Sequence, residues 1–194
     1  MNPTLVFVHG AFSSPTAFNY FRVSLHDYPQ LSFTYNWDEP PSKTGKELAT
    51  FVRTTAQGPV ILLGHSLGGN VALHSIPHLI DTVQLNHVIT YSSPFGGSDH
   101  AFLLGMLSKA PIFSHLRPSS PEIKSLSKIA RLALVNVTSF VTTRGPLSAM
   151  NDGVVTVASQ KALQGPNYIE VVTNHMEVLL SDLVVASTRQ IIQS

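Results

Sequence analysis

The chain has 194 residues, 43% of them hydrophobic and only 12% charged, with a formal net charge of +1 and no cysteine. At about half the usual share of charged residues, this composition fits one packed domain over residues 1–194 and excludes disorder. Scattered Lys and Arg leave no footprint for nucleic acid, and the missing cysteine removes disulfides, thiolate catalysis and Cys-ligated zinc together.

Residues 4–9 are apolar and β-branched and end at Gly10, the pattern of a buried strand. No signal peptide precedes them, and no apolar run approaches the roughly 20 residues that span a bilayer. A cytoplasmic protein with no integral membrane segment is expected, its oligomeric state open. Ser14 and Pro15 then introduce a predicted helix over 16–25, and residues 31–35 alternate as a second strand. After a proline-bearing loop, a helix is predicted over 43–56, stopped by Gly58-Pro59, followed by a strand at 60–63. A helix should begin directly after Ser66, and residues 87–91 form the fourth strand. From 92 to 127 Gly, Pro and Ser interrupt two apolar stretches, 101–107 and 111–116, the composition of a cap or lid insertion at about 95–130. Strand composition returns at 135–141 and 168–172, with a helical start at 156–163 between them and an amphipathic helix over 177–192 at the end. Strands alternating with helices predict an α/β fold, a mainly parallel sheet of about six strands with helices on both faces.

The run Gly64-His65-Ser66-Leu67-Gly68 is G-x-S-x-G between an apolar strand and a helix start. A glycine-rich turn could link the two elements without any chemistry, and the bare pattern is weak. In this context it is specific: a serine on so tight a turn needs small neighbours two residues away on each side, supplied here by Gly64, Gly68 and Gly69. The turn presents the hydroxyl to solvent, and the helix start behind it favours developing negative charge.

This stretch resembles the nucleophile elbow of α/β-hydrolase lipases and esterases. Val6-Phe7-Val8-His9-Gly10 is similar to the strand and His-Gly turn that open such domains, and residues 92–98 (SSPFGGS) to the segment after the next strand in many lipases. Asn151-Asp152-Gly153 and Asn174-His175 fall where the family keeps its acid and base. The resemblance spans nearly the whole chain in the right order, without the two antiparallel strands that open larger members. It implies a minimal α/β-hydrolase fold.

A serine hydroxyl needs an adjacent base, and the base needs a group that fixes its tautomer. In this fold the order is Ser, acid, His. Of the histidines after Ser66, His175 stands directly after the last predicted strand, in a loop at the edge where the elbow opens. His74 and His78 are spaced i, i+4 on one helix, but Pro77 lies between them and the sequence places no carboxylate nearby, so no metal is expected; His100 and His115 fall in the insertion. Asp152 follows a strand and a short loop, 23 residues before His175. As part of Asn-Asp-Gly it is also a good turn residue; Asp99 and Asp182 are weaker candidates. The oxyanion needs backbone donors: Leu67 N–H directly after the nucleophile and, by the resemblance, Ala11, with Phe12 as the alternative. His9 reads as a structural residue of its loop.

The expected activity is hydrolysis of a small-molecule carboxylic ester or lipid by a Ser66-His175-Asp152 triad through an acyl-enzyme, with no cofactor. Phe12, Phe95, Phe102 and Leu103 are expected at the substrate. Acyl transfer to an alcohol and a hydrolase-derived lipid-binding protein without turnover remain alternatives.

Overall fold

Alternate side chains along the inner strands go into two separate cores, which explains why residues 5–8 and 60–63 read as continuous apolar runs. The computed structural model describes residues 2–98, 110–132, 135–145 and 151–194. Its strands are β1 (Thr4–Val8), β2 (Gln30–Phe33), β3 (Val60–His65), β4 (Leu85–Tyr91), β5 (Asn136–Thr142) and β6 (Asn167–Val171). They form one six-stranded sheet in the order β2-β1-β3-β4-β5-β6, parallel throughout.

Val6, Val8, Val60, Leu62, Val88 and Val137 point to one face. There they meet α2 (Pro41–Thr55), α3 (Leu67–Leu79) and α5 (Pro121–Leu132). Leu5, Phe7, Ile61, Leu63, Tyr91 and Phe140 point to the other face, which is covered by α1 (Asn19–Ser24) and α7 (Asp182–Gln193). Two shorter helices, α4 (Ile112–His115) and α6 (Val157–Gln160), lie in the connections on either side of β5. The predicted fold class is therefore the observed one, an α/β sheet with helices on both faces. Among the described residues no helix is long and apolar enough to cross a membrane.

The chain runs from β1 outward to β2 and then back to β3 on the other side, so the sheet changes direction between β1 and β3. Ligands of open α/β sheets bind beyond the carboxyl ends of the strands at such a point. Here the turn after β1 and the turn after β3 touch: a methyl group on Gly10 would stand 3.0 Å from the Cβ of Ser66.

Some boundaries differ from the sequence expectation for local reasons. The first helix opens with a 3-10 turn, Pro15–Phe18, and Ser14 makes no side-chain cap bond, its hydroxyl pairing with that of Thr16 at 2.7 Å. The second strand stops at Phe33, and Tyr35 stacks on the His9 ring at 4.5 Å instead. The final helix breaks at Ser181, whose extended backbone (φ −89°, ψ 120°) ends a 3-10 turn and whose hydroxyl caps α7 by accepting from the Val184 amide. Asp182 therefore lies in the first turn of that helix, bonded to Tyr20, not midway along it.

The largest difference is α5, which falls where the insertion was expected to continue. It carries the crossover from β4 to β5 and packs on α3 through Ile123, Leu126 and Ala130. The Glu122 carboxylate accepts from the Ser42 amide and hydroxyl, each at 2.8 Å, while its backbone carbonyl accepts from His74 Nε2 at 3.2 Å. His74 is thus buried beside a carboxylate 3.6 Å away, against the expectation that none lay near.

Candidate active site

Ser66 joins β3 to α3 with φ 54° and ψ −124°, a conformation that side chains rarely adopt. The elbow is held by the Ser66 amide donating to the Tyr91 carbonyl at 2.8 Å and the Gly69 amide donating to the Ser66 carbonyl at 3.0 Å. A methyl group at Gly64 would come 2.6 Å from the Gly68 carbonyl oxygen, and one at Gly68 would overlap the Val8 carbonyl. Both neighbours are backbone and cannot step aside, so the two glycines allow the turn to close against β1.

Ser66 borders a cavity of about 600 Å3 whose wall also contains Ala11, Leu67 and His175. His175 reaches it from the loop after β6. Its Nδ1 donates to Asp152 Oδ2 at 2.8 Å, and its amide donates to the Asp152 carbonyl at 3.0 Å. Asp152 is 1% exposed. Its other oxygen, Oδ1, accepts from the amides of Val154 at 3.0 Å and Val155 at 2.7 Å. The Asn-Asp-Gly turn and the partner of His175 are thus the same residue, one carboxylate oxygen serving each purpose. A hollow of about 690 Å3 lies at the opposite end of the sheet near His87, Arg131 and Gln164, and among the described residues no serine lines it.

Residues 5–169 match the model of the alpha/beta hydrolase family. The chain belongs to the α/β-hydrolase family. Solved structures agree in fold. The mature form of a Bacillus licheniformis lipase superposes with a TM-score of 0.82 at 20% identity, over 98% of this chain and 92% of that one. A lipase-esterase related protein from Clostridium acetobutylicum gives 0.72 at 15% identity, over 98% and 94%. The phospholipase PlaB of Legionella pneumophila gives 0.77 at 13% identity, with all of this chain spanning 60% of that one. No curated protein sequence matches.

In this hydrolase two residues that the sequence reading missed surround the acid. Thr142, the last residue of β5, donates its hydroxyl to Asp152 Oδ2 at 2.5 Å. Gln160, at the end of α6, donates to the same oxygen at 3.3 Å while its amide pairs with the Thr142 backbone in both directions, at 2.9 and 3.0 Å. Both residues are fully buried. Nothing in local sequence marks either one, because their partner lies on a different element.

Burial alone would raise the Asp152 pKa. The hydrogen bond from His175, the charge of that ring, the Thr142 hydroxyl and the Val155 amide outweigh it and hold the carboxyl below its usual range. A carboxyl depressed in the folded state stabilises the protein above its unfolded pKa, near 3.9, and this contribution is lost as pH falls through the folded value. Thr142→Val removes one of these donors. It is expected to destabilise the hydrolase by about 2 kcal/mol at pH 7, with a smaller deficit at pH 3, read from urea unfolding midpoints. An equal deficit at both values would mean that the hydroxyl does not act through the carboxylate charge.

Of the residues expected at the substrate, Phe12 lines the cavity, is 64% exposed and packs 4.1 Å from Trp37 between ring centroids. Phe95 does not. Its neighbour Pro94 reaches the cavity wall, while the Phe95 ring turns into the core on the α3 side, 1% exposed, where an aromatic side chain gains most by burial. Phe102, Leu103, Asp99 and His100 lie outside the described residues. Phe113 and Leu116, on and just after α4, line the cavity instead. Leu67 opens α3, so its amide has no acceptor within the helix. His9 is buried and donates through Nδ1 to the Gly10 carbonyl at 2.8 Å, so Nδ1 carries the hydrogen.

Proposed function

We propose that this hydrolase cleaves carboxylic acyl esters by a Ser66-His175-Asp152 triad through an acyl-enzyme. The observation that carries the reading is a single cavity bordered by a serine on a strained elbow and by a histidine whose far nitrogen is bonded to a buried carboxylate.

In this mechanism His175 Nε2 takes the Ser66 proton as the hydroxyl oxygen attacks the ester carbonyl. Asp152 fixes the tautomer with the hydrogen on Nδ1, leaving the Nε2 lone pair as the base, and stabilises the imidazolium once formed. The amides of Leu67 and Ala11 receive the oxyanion. His175 then protonates the departing alcohol, and the same ring activates the water that releases the acid.

The cavity wall is largely apolar, with Phe12, Phe113, Leu116, Val154 and Met176 among its members, which suits an acyl chain. The contribution of α4 to this wall supports a capping role for the segment around it, within a single hydrolase domain. Lipid esters are accordingly substrates of the right character.

The test is turnover of p-nitrophenyl esters of increasing acyl length. The hydrolase should cleave them, with kcat/KM rising about fourfold for each added methylene until the cavity is filled, from the 0.8 kcal/mol of transfer per buried CH2. Absence of turnover across the series would end the ester reading.

A further inference from the structure

His65 stands at the end of β3, directly before Ser66, and is 2% exposed. Among the described residues its ring makes one hydrogen bond, from Nε2 to the backbone carbonyl of His175 at 2.8 Å. A carbonyl only accepts, so Nε2 carries the hydrogen and Nδ1 is left as a bare acceptor. That Nδ1 is buried and finds no donor among the described residues. Burial first, and the neighbouring His175 second, push the His65 pKa down to about 3, which keeps the ring in this neutral form.

Such a residue is poorly explained by packing. An apolar side chain of similar size would fill the slot without the unpaired Nδ1, and a buried acceptor without a partner destabilises a fold; the cost of such a replacement would fall on the His175 carbonyl, which would lose its donor. The imidazole has one thing an apolar group lacks, the donation to His175.

The place of that donation matters. Residue 175 is tied by hydrogen bonds at three points: its amide to the Asp152 carbonyl, its ring to the Asp152 carboxylate, and its carbonyl to His65. The first two lead to the loop of the acid. The third leads to the residue covalently joined to Ser66, and the two histidine rings lie 5.0 Å apart between centroids. It fixes the loop of the base against the element that carries the nucleophile.

We propose that His65 is a positioning residue that sets the separation of Ser66 and His175 by gripping the backbone of the latter. This rests on the reading of those two residues as nucleophile and base.

The tests are His65→Leu, which fills the slot without a donor, and His65→Gln, whose amide nitrogen extends to about the place of Nε2. Small misplacements of reacting groups lower rates by on the order of 100-fold. His65→Leu should lose about that in kcat for a p-nitrophenyl ester, with KM little changed and an unfolding midpoint close to that of the wild type, because loss of the unpaired Nδ1 offsets loss of the donor to the His175 carbonyl. His65→Gln should recover most of the loss. A wild-type kcat in the Leu variant, or equal impairment of two folded variants, would overturn the proposal. Should the Leu variant not fold, 15N-histidine NMR of the unaltered protein decides: the Nε2–H tautomer of His65 supports the grip, and the Nδ1–H tautomer removes it. The two possible failures separate cleanly. If the ester reading is wrong, Ser66→Ala retains turnover; if this proposal alone is wrong, Ser66→Ala is dead while His65→Leu matches the wild type.

Discussion

Ser66→Ala is expected to lower kcat for a p-nitrophenyl ester by about 10^6-fold, the scale set by removal of a triad serine elsewhere. The loss is so large because no other group takes over. The attacking oxygen is gone, and what remains is binding and the amides of Leu67 and Ala11 acting on water as the nucleophile. The same substitution should leave stability within about 0.5 kcal/mol of the wild type. The Ser66 side chain is half-buried at the edge of the cavity, so its removal opens no void in either core. The elbow itself is held by backbone bonds to Tyr91 and Gly69, which alanine preserves. Equal loss of activity and of folding would mean that the serine is a structural residue of the turn.

Asp152→Asn is expected to lower kcat by about 10^4-fold. The substituted amide can still accept from Val154 and Val155 through its oxygen, so the turn survives. Its nitrogen then faces His175 Nδ1 as a donor, which forces the hydrogen onto Nε2. The ring now presents a donor to Ser66, where the reaction needs an acceptor. The new N–H also meets the amide of Gln160, a donor against a donor, and this should cost about 1–3 kcal/mol of stability. Measured kcat within tenfold of the wild type would remove Asp152 from the mechanism.

The elbow was legible because its requirements are local. Two glycines two residues either side of a serine, after an apolar strand and before a helix, describe a backbone shape that few other residues permit. The pairing of Asp152 with His175 was legible through chain order, since the sheet brings the ends of β5 and β6 to the same rim as β3. The surroundings of Asp152 were not legible. Thr142 and Gln160 acquire their role only when α6 folds back onto the end of β5, and each would look the same on a solvated surface. Helix α5 was hidden for a different reason. Its own signals are present, a Ser120 cap accepting from the Ile123 amide at 3.2 Å, Pro121 at the first position and apolar residues at 123, 126 and 130. The Pro, Ser and Gly just upstream outweighed them. Phe95 shows the remaining limit: a ring beside a binding loop can turn outward to ligand or inward to core, and only the packing of α3 decides.

An activated hydroxyl at residue 66 can be read by covalent trapping. After exposure to a fluorophosphonate probe and proteolysis, mass spectrometry should find one phosphonyl adduct, on Ser66, forming far more slowly in the Asp152→Asn protein. A protein that hydrolyses esters yet carries the adduct on another residue, or none at all, would contradict the account.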